Sequence, residues 1–202
     1  MTTSAAASLP TPSPLTKFFS SNPTSDPLQT LALQIQHNLT HQHAWTATRL
    51  HTHSTITNAP LPRPLLSGLP PLRLYTHPDE QVQLLKEAEA RRKAGRTKQA
   101  EKHTDAQEEK DEAEPEGLDV HAEPEREWVL PMRLSERWSL KRLAEVFDAI
   151  ELTPPPGTEH EAGEEKESKW RTAKRVVLAT VDSDSTVVYY IVHDGVVKPR
   201  QN

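Results

Sequence analysis

The sequence contains no cysteine, and this absence removes several classes of function. A chain without thiols forms no disulfides, no thiolate zinc site and no cysteine nucleophile, and it suits a reducing compartment. Long apolar runs are also missing, since none approaches the ~20 residues of a transmembrane helix. The N-terminus has no basic segment and is broken by prolines, which argues against a secretory signal. We therefore expect a cytosolic or nuclear protein.

Apolar residues are scarce, at 34% of the 202 residues, and aromatic residues make up 5%. Globular domains usually contain about 45–50% apolar residues when glycine is counted. The length indicates about one domain, so the deficit predicts a modest core and disordered segments. The net charge of −5 argues against binding of nucleic acid by bulk electrostatics alone.

The polar residues are concentrated in three segments. Residues 1–25 are rich in Ser, Thr, Pro and Ala, which predicts a disordered tail. A charged, flexible insertion is predicted at about 95–124, where Glu, Lys, Asp and Gln dominate. An acidic loop is predicted at about 153–169. The folded domain then covers 26–202, with these two segments inserted in it.

Three stretches have helical patterns. Asp26 as N-cap and Pro27 as first residue start one helix. A second helix begins near Pro78, with acidic residues in its first turn. The strongest pattern has Ser139 as N-cap and apolar residues at spacings of three and four, which predicts one buried face. The residues of that face are Trp138, Leu140, Leu143, Val146, Phe147 and Ile150.

Strands are predicted between and after these helices. "AWTATRLHTHSTI" and "REWVLPMRL" are typical of strands. The proline-rich stretch between the first two helices predicts only short, edge-like strands, around Leu65–Leu66 and from Leu72 to Tyr75. "KRVVLATV" and "STVVYYIV" predict two strands apolar on both faces, which helices or a partner chain would bury. A final short strand is predicted at "VVKP". The order predicts an α/β (mixed α+β) domain with a mixed β-sheet flanked by helices.

Candidate chemical groups are few. The sequence has no GxGxxG, P-loop, GxSxG or HExxH motif. His37 and His41 are four residues apart and share a helix face, but their cluster contains no cysteine or acid, so we interpret these histidines as polar residues on a helix and a strand edge rather than as a metal site. His193 precedes a turn with no evident nucleophile beside it, so we interpret it as structural or exposed. The histidine cluster comprises His37, His41, His43, His51 and His53.

A basic stretch in the second helix has two interpretations, phosphate binding or a solvated helix face. It is interleaved with glutamates and lacks aromatic residues for base stacking, which favours the solvated face. A weak nuclear import signal is also compatible with it. The basic residues are Arg91, Arg92, Lys93, Arg96, Lys98 and Lys102.

Three segments together resemble a known family. "GLPPLRLYTHPDEQ", "EWVLPMRLSERWSLKRLAEVFDAI" and "STVVYYIVHDGVVKPRQN" are similar to the fungal form of the small, non-catalytic subunit of the tRNA-splicing endonuclease, the Sen-fifteen type. The resemblance covers most of 26–202 apart from the insertion. It implies the fold of the endonuclease C-terminal domain. It also implies a heterotetramer of two catalytic and two structural subunits that cleaves precursor tRNA at the intron splice sites.

The resemblance also implies an interface. The chain would pair with a catalytic subunit through its C-terminal strands, and the acidic loop between them would dock into the other heterodimer. The implied interface residues are Asp182, Ser183, Asp184, Val187, Val188, Tyr189, Tyr190, Ile191, Val192 and His193. The family acts in the nucleus or, in some fungi, at the mitochondrial surface. No cofactor, metal or membrane span is expected.

Catalytic subunits of this family use a Tyr, a His and a Lys. Tyr75 and Lys174 fall at similar places, but His77 is too close to the tyrosine and His121 lies in the insertion. We therefore expect no catalysis by this chain, because cleavage without a general acid or base loses a factor of about 10²–10⁴. Two alternatives stay open: a ribonuclease that uses Tyr75 and Lys174, and a non-nuclease scaffold that binds protein or RNA. The isolated chain could homodimerise through its C-terminal hairpin.

Overall fold

The structure of the protein, a computed structural model, describes residues 11–24, 26–100, 122–156 and 168–197. Nine elements are found in these residues, four helices and five strands. In chain order they are α1 (Pro14–Ser21), α2 (Pro27–Gln42), β1 (Thr46–His53), β2 (Pro60–Leu69), α3 (Pro78–Ala100), β3 (Glu127–Arg133), α4 (Leu140–Ala149), β4 (Arg175–Val181) and β5 (Val187–His193).

The strands form one mixed sheet in the order β1-β2-β3-β4-β5. Neighbouring strands are antiparallel except β3 and β4, which are parallel. Parallel neighbours need a crossover connection, and α4 lies in the connection between these two strands. The predicted fold class, a mixed sheet flanked by helices, is confirmed.

Both faces of the sheet carry a hydrophobic cluster. On one face, α2 packs Leu31, Ile35 and Leu39 against Val129 and Val177. On the other face, α4 contributes Val146 and Phe147 to a cluster with Trp128, Leu130 and Val176. β4 supplies alternate residues to the two clusters, so it is buried on both sides, as predicted. In the described part of the chain, no helix combines the length and the hydrophobicity needed to cross a bilayer.

Two predicted helix starts are confirmed by their capping bonds. The backbone N–H of Leu28 donates to Oδ1 of Asp26 at 2.9 Å, and that of Arg142 donates to Oγ of Ser139 at 3.3 Å. The prediction that Leu140 faces inward is wrong, since its side chain is 88% exposed. Trp138, which precedes the helix, packs on the cluster at this end of α4 instead. Leu140 therefore remains in solvent.

The proline-rich stretch differs from its prediction. It forms one strand of 10 residues, β2, inside the sheet, and Leu72 to Tyr75 is not a strand. The prolines are tolerated because pairing with β3 involves only Leu66, Ser67 and Gly68. The prolines occupy the other half of the strand, at positions 60, 62 and 64.

Helix α1 lies within the segment predicted as a disordered tail, while residues 1–10 and 25 of that segment are outside the described residues. Composition alone did not indicate this helix. The backbone N–H of Thr16 donates to Oγ of Ser13 at 3.1 Å, which caps the helix. The ring of Phe18 lies 5.4 Å from that of His37 on α2. The cap stabilises the start of the helix, and the aromatic contact packs α1 against α2.

The remaining predicted segments are only partly described. Helix α3 continues to Ala100, and residues 101–121 of the predicted insertion and 157–167 of the predicted acidic loop lie outside the described residues. The predicted final strand is wrong for Val196 and Val197, which are not in a strand. β5 ends at His193 because the chain turns at Gly195, whose φ is +87°.

Candidate functional site

Strand β5 is the last strand of the sheet and pairs through seven consecutive residues with β4. Among the described residues, its other backbone edge has no neighbouring strand. The strand reads VVYYIVH and contains no Lys, Glu, Asp or Pro. Edge strands normally carry charge or proline, which prevents pairing with other chains. β5 therefore lacks the usual protection of an exposed edge.

The side chains of β5 are only partly covered by the domain. Val187 and Tyr189 pack against the α2 cluster, and Val192 packs against the α4 cluster. Val188 and Tyr190 remain 42% and 57% exposed. Ile191, on the opposite face, is also exposed. Burial of both faces, predicted for the two C-terminal strands, thus holds for β4 but not for β5 in this single chain.

Tyr189 anchors β5 to the domain. Its hydroxyl donates a hydrogen bond of 2.6 Å to Oδ1 of Asn38 on α2, and the ring of His43 meets its own ring edge-on at 5.1 Å. Burial raises the pKa of this phenol above its usual value, so the tyrosine stays a neutral donor. The strand is fixed from the side of α2, while Val188 and Tyr190 point to the other face.

The turn before β5 presents two carboxylates on a closed backbone. The N–H of Asp182 donates to the carbonyl of Thr186 at 2.9 Å, and the N–H of Thr186 donates to Oδ1 of Asp184 at 2.8 Å. Hydrogen bonds from the backbone and then the side chain of Thr186 lower the pKa of Asp184. Ser185 adopts a φ of +71°, and every residue from 182 to 186 is exposed. The turn is therefore an ordered, negatively charged projection.

A cleft of about 200 Å³ opens at the end of the sheet where β5 finishes. Tyr75 and His193 meet edge-on inside it, with ring centroids 4.7 Å apart. The Arg175 guanidinium lies 5.6 Å from the centre of the Tyr75 ring. The cleft is lined by Tyr75, His77, Trp170, Arg171, Thr172, Ala173, Arg175, His193, Val196 and Val197.

Beneath this cleft lies a buried cluster of charges. Arg175 donates from Nε to Glu127 at 2.9 Å and from Nη2 to Glu125 at 2.6 Å. Nη1 of Arg171 donates to the Arg126 carbonyl at 2.9 Å, and its Nη2 lies 3.2 Å from Oε2 of Glu127. The arginines compensate the buried carboxylates, as buried charges require.

His193 occupies a place that the sequence does not reveal. It is half-buried rather than on an exposed rim, and Nε2 of its ring is buried without a hydrogen-bond partner among the described residues. Burial, followed by the charges of Arg175 and Arg171, lowers its pKa. A correct register for the β4–β5 hairpin would have placed His193 opposite Arg175.

The two residues that resemble catalytic groups are not brought together. The ammonium group of Lys174 donates to the carbonyl of Phe147 at 2.8 Å, toward α4. Its neighbour Arg175 faces the cleft, and successive residues of a strand point to opposite faces. Tyr75 therefore meets His193 and Arg175, while Lys174 holds the end of α4.

The histidine cluster is spread over several surroundings. The rings of His37 and His41 are 4.3 Å apart, and burial, then the charge of His41, lowers the pKa of His37. Nε2 of His51 lies 2.8 Å from Oγ of Ser67. Among the described residues, no three His, Asp or Glu side chains are placed to hold a metal ion.

The basic stretch lies on α3, where Lys93 pairs with Glu89 at 2.8 Å. This pair is of the i,i+4 type that solvated helices commonly carry. Lys102 and the side chains of Arg96 and Lys98 are outside the described part, so the interpretation as a solvated face stays a prediction for them.

Comparisons with known proteins point to one family. A family model described as "Sen15 protein" matches residues 34–202. Over 179 residues the chain is 42% identical to the probable tRNA-splicing endonuclease subunit tsp-1 of Neurospora crassa, covering 87% of this chain and 67% of that protein. Two shorter matches, each 36% identical over 76 residues and 38% of this chain, are the probable tRNA-splicing endonuclease subunit sen15 of Schizosaccharomyces pombe and the tRNA-splicing endonuclease subunit SEN15 of Eremothecium gossypii. They are covered over 50% and 52% of their lengths, respectively.

Proposed function

The chain belongs to the Sen15 protein family, and we propose that it acts in tRNA splicing as a structural, non-catalytic subunit of the tRNA-splicing endonuclease. In this proposal it joins a heterotetramer that cleaves precursor tRNA at the intron splice sites. It pairs with a catalytic subunit through its C-terminal strands. The names of the relatives support the role in splicing. The observation that carries the structural role is the exposed, uncharged edge of β5.

The chemistry of that edge suits strand addition. An extended partner segment can continue a sheet by main-chain hydrogen bonds, while side-chain pockets select the partner. β5 offers the backbone edge that no other described strand pairs with, together with Val188, Tyr190 and Ile191, which a partner would cover. Burial of apolar surface contributes roughly 25 cal/mol per Å², so covering these three side chains favours a stable complex.

The placement of Lys174 supports a non-catalytic role. Its ammonium group is engaged with the end of α4, whereas Tyr75 lies in the cleft. A Tyr, His and Lys that share one phosphodiester must converge within hydrogen-bond reach of it. In this arrangement the lysine serves packing rather than chemistry.

Co-purification from cells tests this proposal most broadly. The full chain carries an affinity tag at its N-terminus, and its partners are identified by mass spectrometry. We expect the other endonuclease subunits in near-stoichiometric amounts. Recovery of other proteins without any endonuclease subunit would support the alternative of a non-nuclease scaffold and would overturn the proposal.

The acidic turn is proposed to join the two heterodimers. Replacing Asp182 and Asp184 with alanine should leave the chain folded and its heterodimer formed, because both side chains are exposed. The tetramer should dissociate at least tenfold more readily, about 1.4 kcal/mol, because the charged contact is lost. Analytical ultracentrifugation measures both equilibria. The matched control replaces Glu145 and Asp148, two exposed acids of α4, with alanine. If the variant at Asp182 and Asp184 forms the tetramer as the natural chain does, the turn is only a polar connection between strands.

One contact favours a second candidate function, a self-sufficient ribonuclease. Tyr75 and His193 lie against one another in the cleft, and both side chains are of types that general acid–base catalysis uses. The isolated chain incubated with an intron-bearing precursor tRNA decides between the two functions. We expect no cleavage, and site-specific cleavage by the isolated chain would favour the ribonuclease.

The site of action is proposed to be the nucleus, with the mitochondrial surface as the alternative that the family resemblance implies. Fluorescence microscopy of the tagged chain distinguishes the two.

The isolated chain is proposed to homodimerise through β5, because no partner then covers that edge. Light scattering with and without the catalytic subunit tests this, and a monomer at all concentrations would contradict it.

A further inference from the structure

The mouth of the cleft gathers flat side chains from distant parts of the chain. His77 stacks on Trp170, with ring centroids 5.6 Å apart and planes 14° from parallel. Tyr75 and His193 form an edge-on pair in the same cleft. Four flat rings thus line one cleft, two of them the aromatic side chains Tyr75 and Trp170 and two of them imidazoles.

Donor groups accompany these rings. Arg175 binds its carboxylates through Nε and Nη2, which leaves Nη1 as the remaining donor of a guanidinium that lines the cleft. The ammonium of Lys169 lies 4.9 Å from the centre of the Trp170 ring, on an exposed side chain. Positive donors therefore flank the aromatic stack.

The size of the cleft limits what it can hold. Sites for drug-sized molecules usually measure about 300–1,000 Å³, and this cleft has about 200 Å³. The space suits one flat group rather than a whole cofactor. Proteins bind the unstacked bases of single-stranded RNA on aromatic rings and on guanidinium planes, and this cleft presents both.

We propose that the cleft binds one unpaired base of single-stranded RNA, with the base stacked at the Trp170–His77 pair and its phosphate near Arg175 and Lys169. This inference rests on the proposed function, in which precursor tRNA is brought to the complex. It assigns RNA contact, without chemistry, to a subunit for which the proposed function requires only assembly.

The test is the affinity of the full chain for a short, labelled oligouridine of about eight nucleotides, measured by fluorescence anisotropy. Stacking contributes roughly 1–3 kcal/mol per base, so Trp170→Ala should weaken binding by about 5-fold to 150-fold. Trp170→Phe, which keeps a ring, should retain most of the affinity. Trp138→Ala is the matched control. Like Trp170, Trp138 is half-buried with a cationic side chain over its ring, but it packs on the α4 side of the sheet.

An abasic oligonucleotide of the same length separates stacking from charge. It should bind the natural chain more weakly than oligouridine does, and its affinity should not change with Trp170→Ala. His77→Ala is a second variant, used with circular dichroism in case Trp170→Ala unfolds. Equal affinity for both oligonucleotides, or a folded Trp170→Ala chain that binds oligouridine as the natural chain does, would overturn the proposal.

Failure of the cleft proposal and failure of the proposed function give different results in the binding and co-purification experiments. If the endonuclease subunits co-purify and binding does not depend on the base, the cleft proposal fails and the structural role stands. If base-dependent binding occurs and no endonuclease subunit co-purifies, the cleft proposal stands and the structural role fails.

Discussion

Replacing Glu127 with alanine is expected to lower the free energy of unfolding by about 3–5 kcal/mol. The side chain of Glu127 is 1% exposed, and it accepts from Arg175 and lies beside Arg171. Its removal leaves two buried guanidinium groups to share Glu125. Removal of one partner of a buried ion pair is costly because the remaining charge stays desolvated. Urea denaturation followed by tryptophan fluorescence measures the loss.

Glu123→Ala is the control for this variant. Glu123 is an exposed glutamate four residues earlier in the chain, and surface substitutions usually change stability by less than about 0.5 kcal/mol. A loss below about 1 kcal/mol for Glu127→Ala would show that the buried cluster contributes little to folding.

The buried charge cluster also joins parts of the chain that the polar segments separate in the sequence. Arg73 precedes α3 and binds Glu80 at 2.5 Å as well as Glu125, which follows residues 101–121. Arg171 follows residues 157–167 and meets the same glutamate. The loop before α3 is therefore joined at one buried site to the residues that follow each polar segment.

Replacing Tyr190 with glutamate is expected to weaken the proposed pairing with a catalytic subunit by at least about 100-fold while leaving the chain folded. The side chain is 57% exposed in the isolated chain, so the charge remains hydrated there. In the complex it would be buried without a partner, which costs about 3 kcal/mol or more and weakens association roughly 150-fold. Size-exclusion chromatography and isothermal titration calorimetry of the two purified subunits measure the effect.

Leu140→Glu provides the same change of chemistry at an unrelated place. Leu140 is 88% exposed at the start of α4, an element separate from β5. We expect this variant to associate as the natural chain does. Normal association of the Tyr190→Glu chain would exclude β5 from the interface.

Local sequence signals predicted the helix starts and the C-terminal strands well. Asp26 and Ser139 are capping residues whose hydrogen bonds involve only the next few residues, so short-range chemistry determines them. β4 was predicted because a strand buried on both faces is apolar at every position. These features depend on neighbours in the sequence, and the structure retains them.

Features that depend on distant neighbours were missed. The proline-rich β2 is an interior strand because its proline-free end alone pairs with β3, and only the sheet register reveals this. The meeting of Tyr75 with His193 requires the loop after β2 to fold over the end of β5. The family resemblance suggested Tyr75 and Lys174 as a pair, but Lys174, just before β4, donates to the Phe147 carbonyl of α4 instead.

The most direct test of the central claim is cleavage of precursor tRNA by the assembled endonuclease that contains a Tyr75→Phe/Lys174→Ala chain. The phenylalanine keeps the ring in the cleft and removes only the hydroxyl, so loss of chemistry is separated from loss of packing. The rate is measured at saturating precursor, after size-exclusion chromatography has shown an intact complex. A structural subunit predicts a rate within threefold of the natural complex, about 0.7 kcal/mol. A loss of more than tenfold with assembly intact would contradict the account and assign chemistry to this chain.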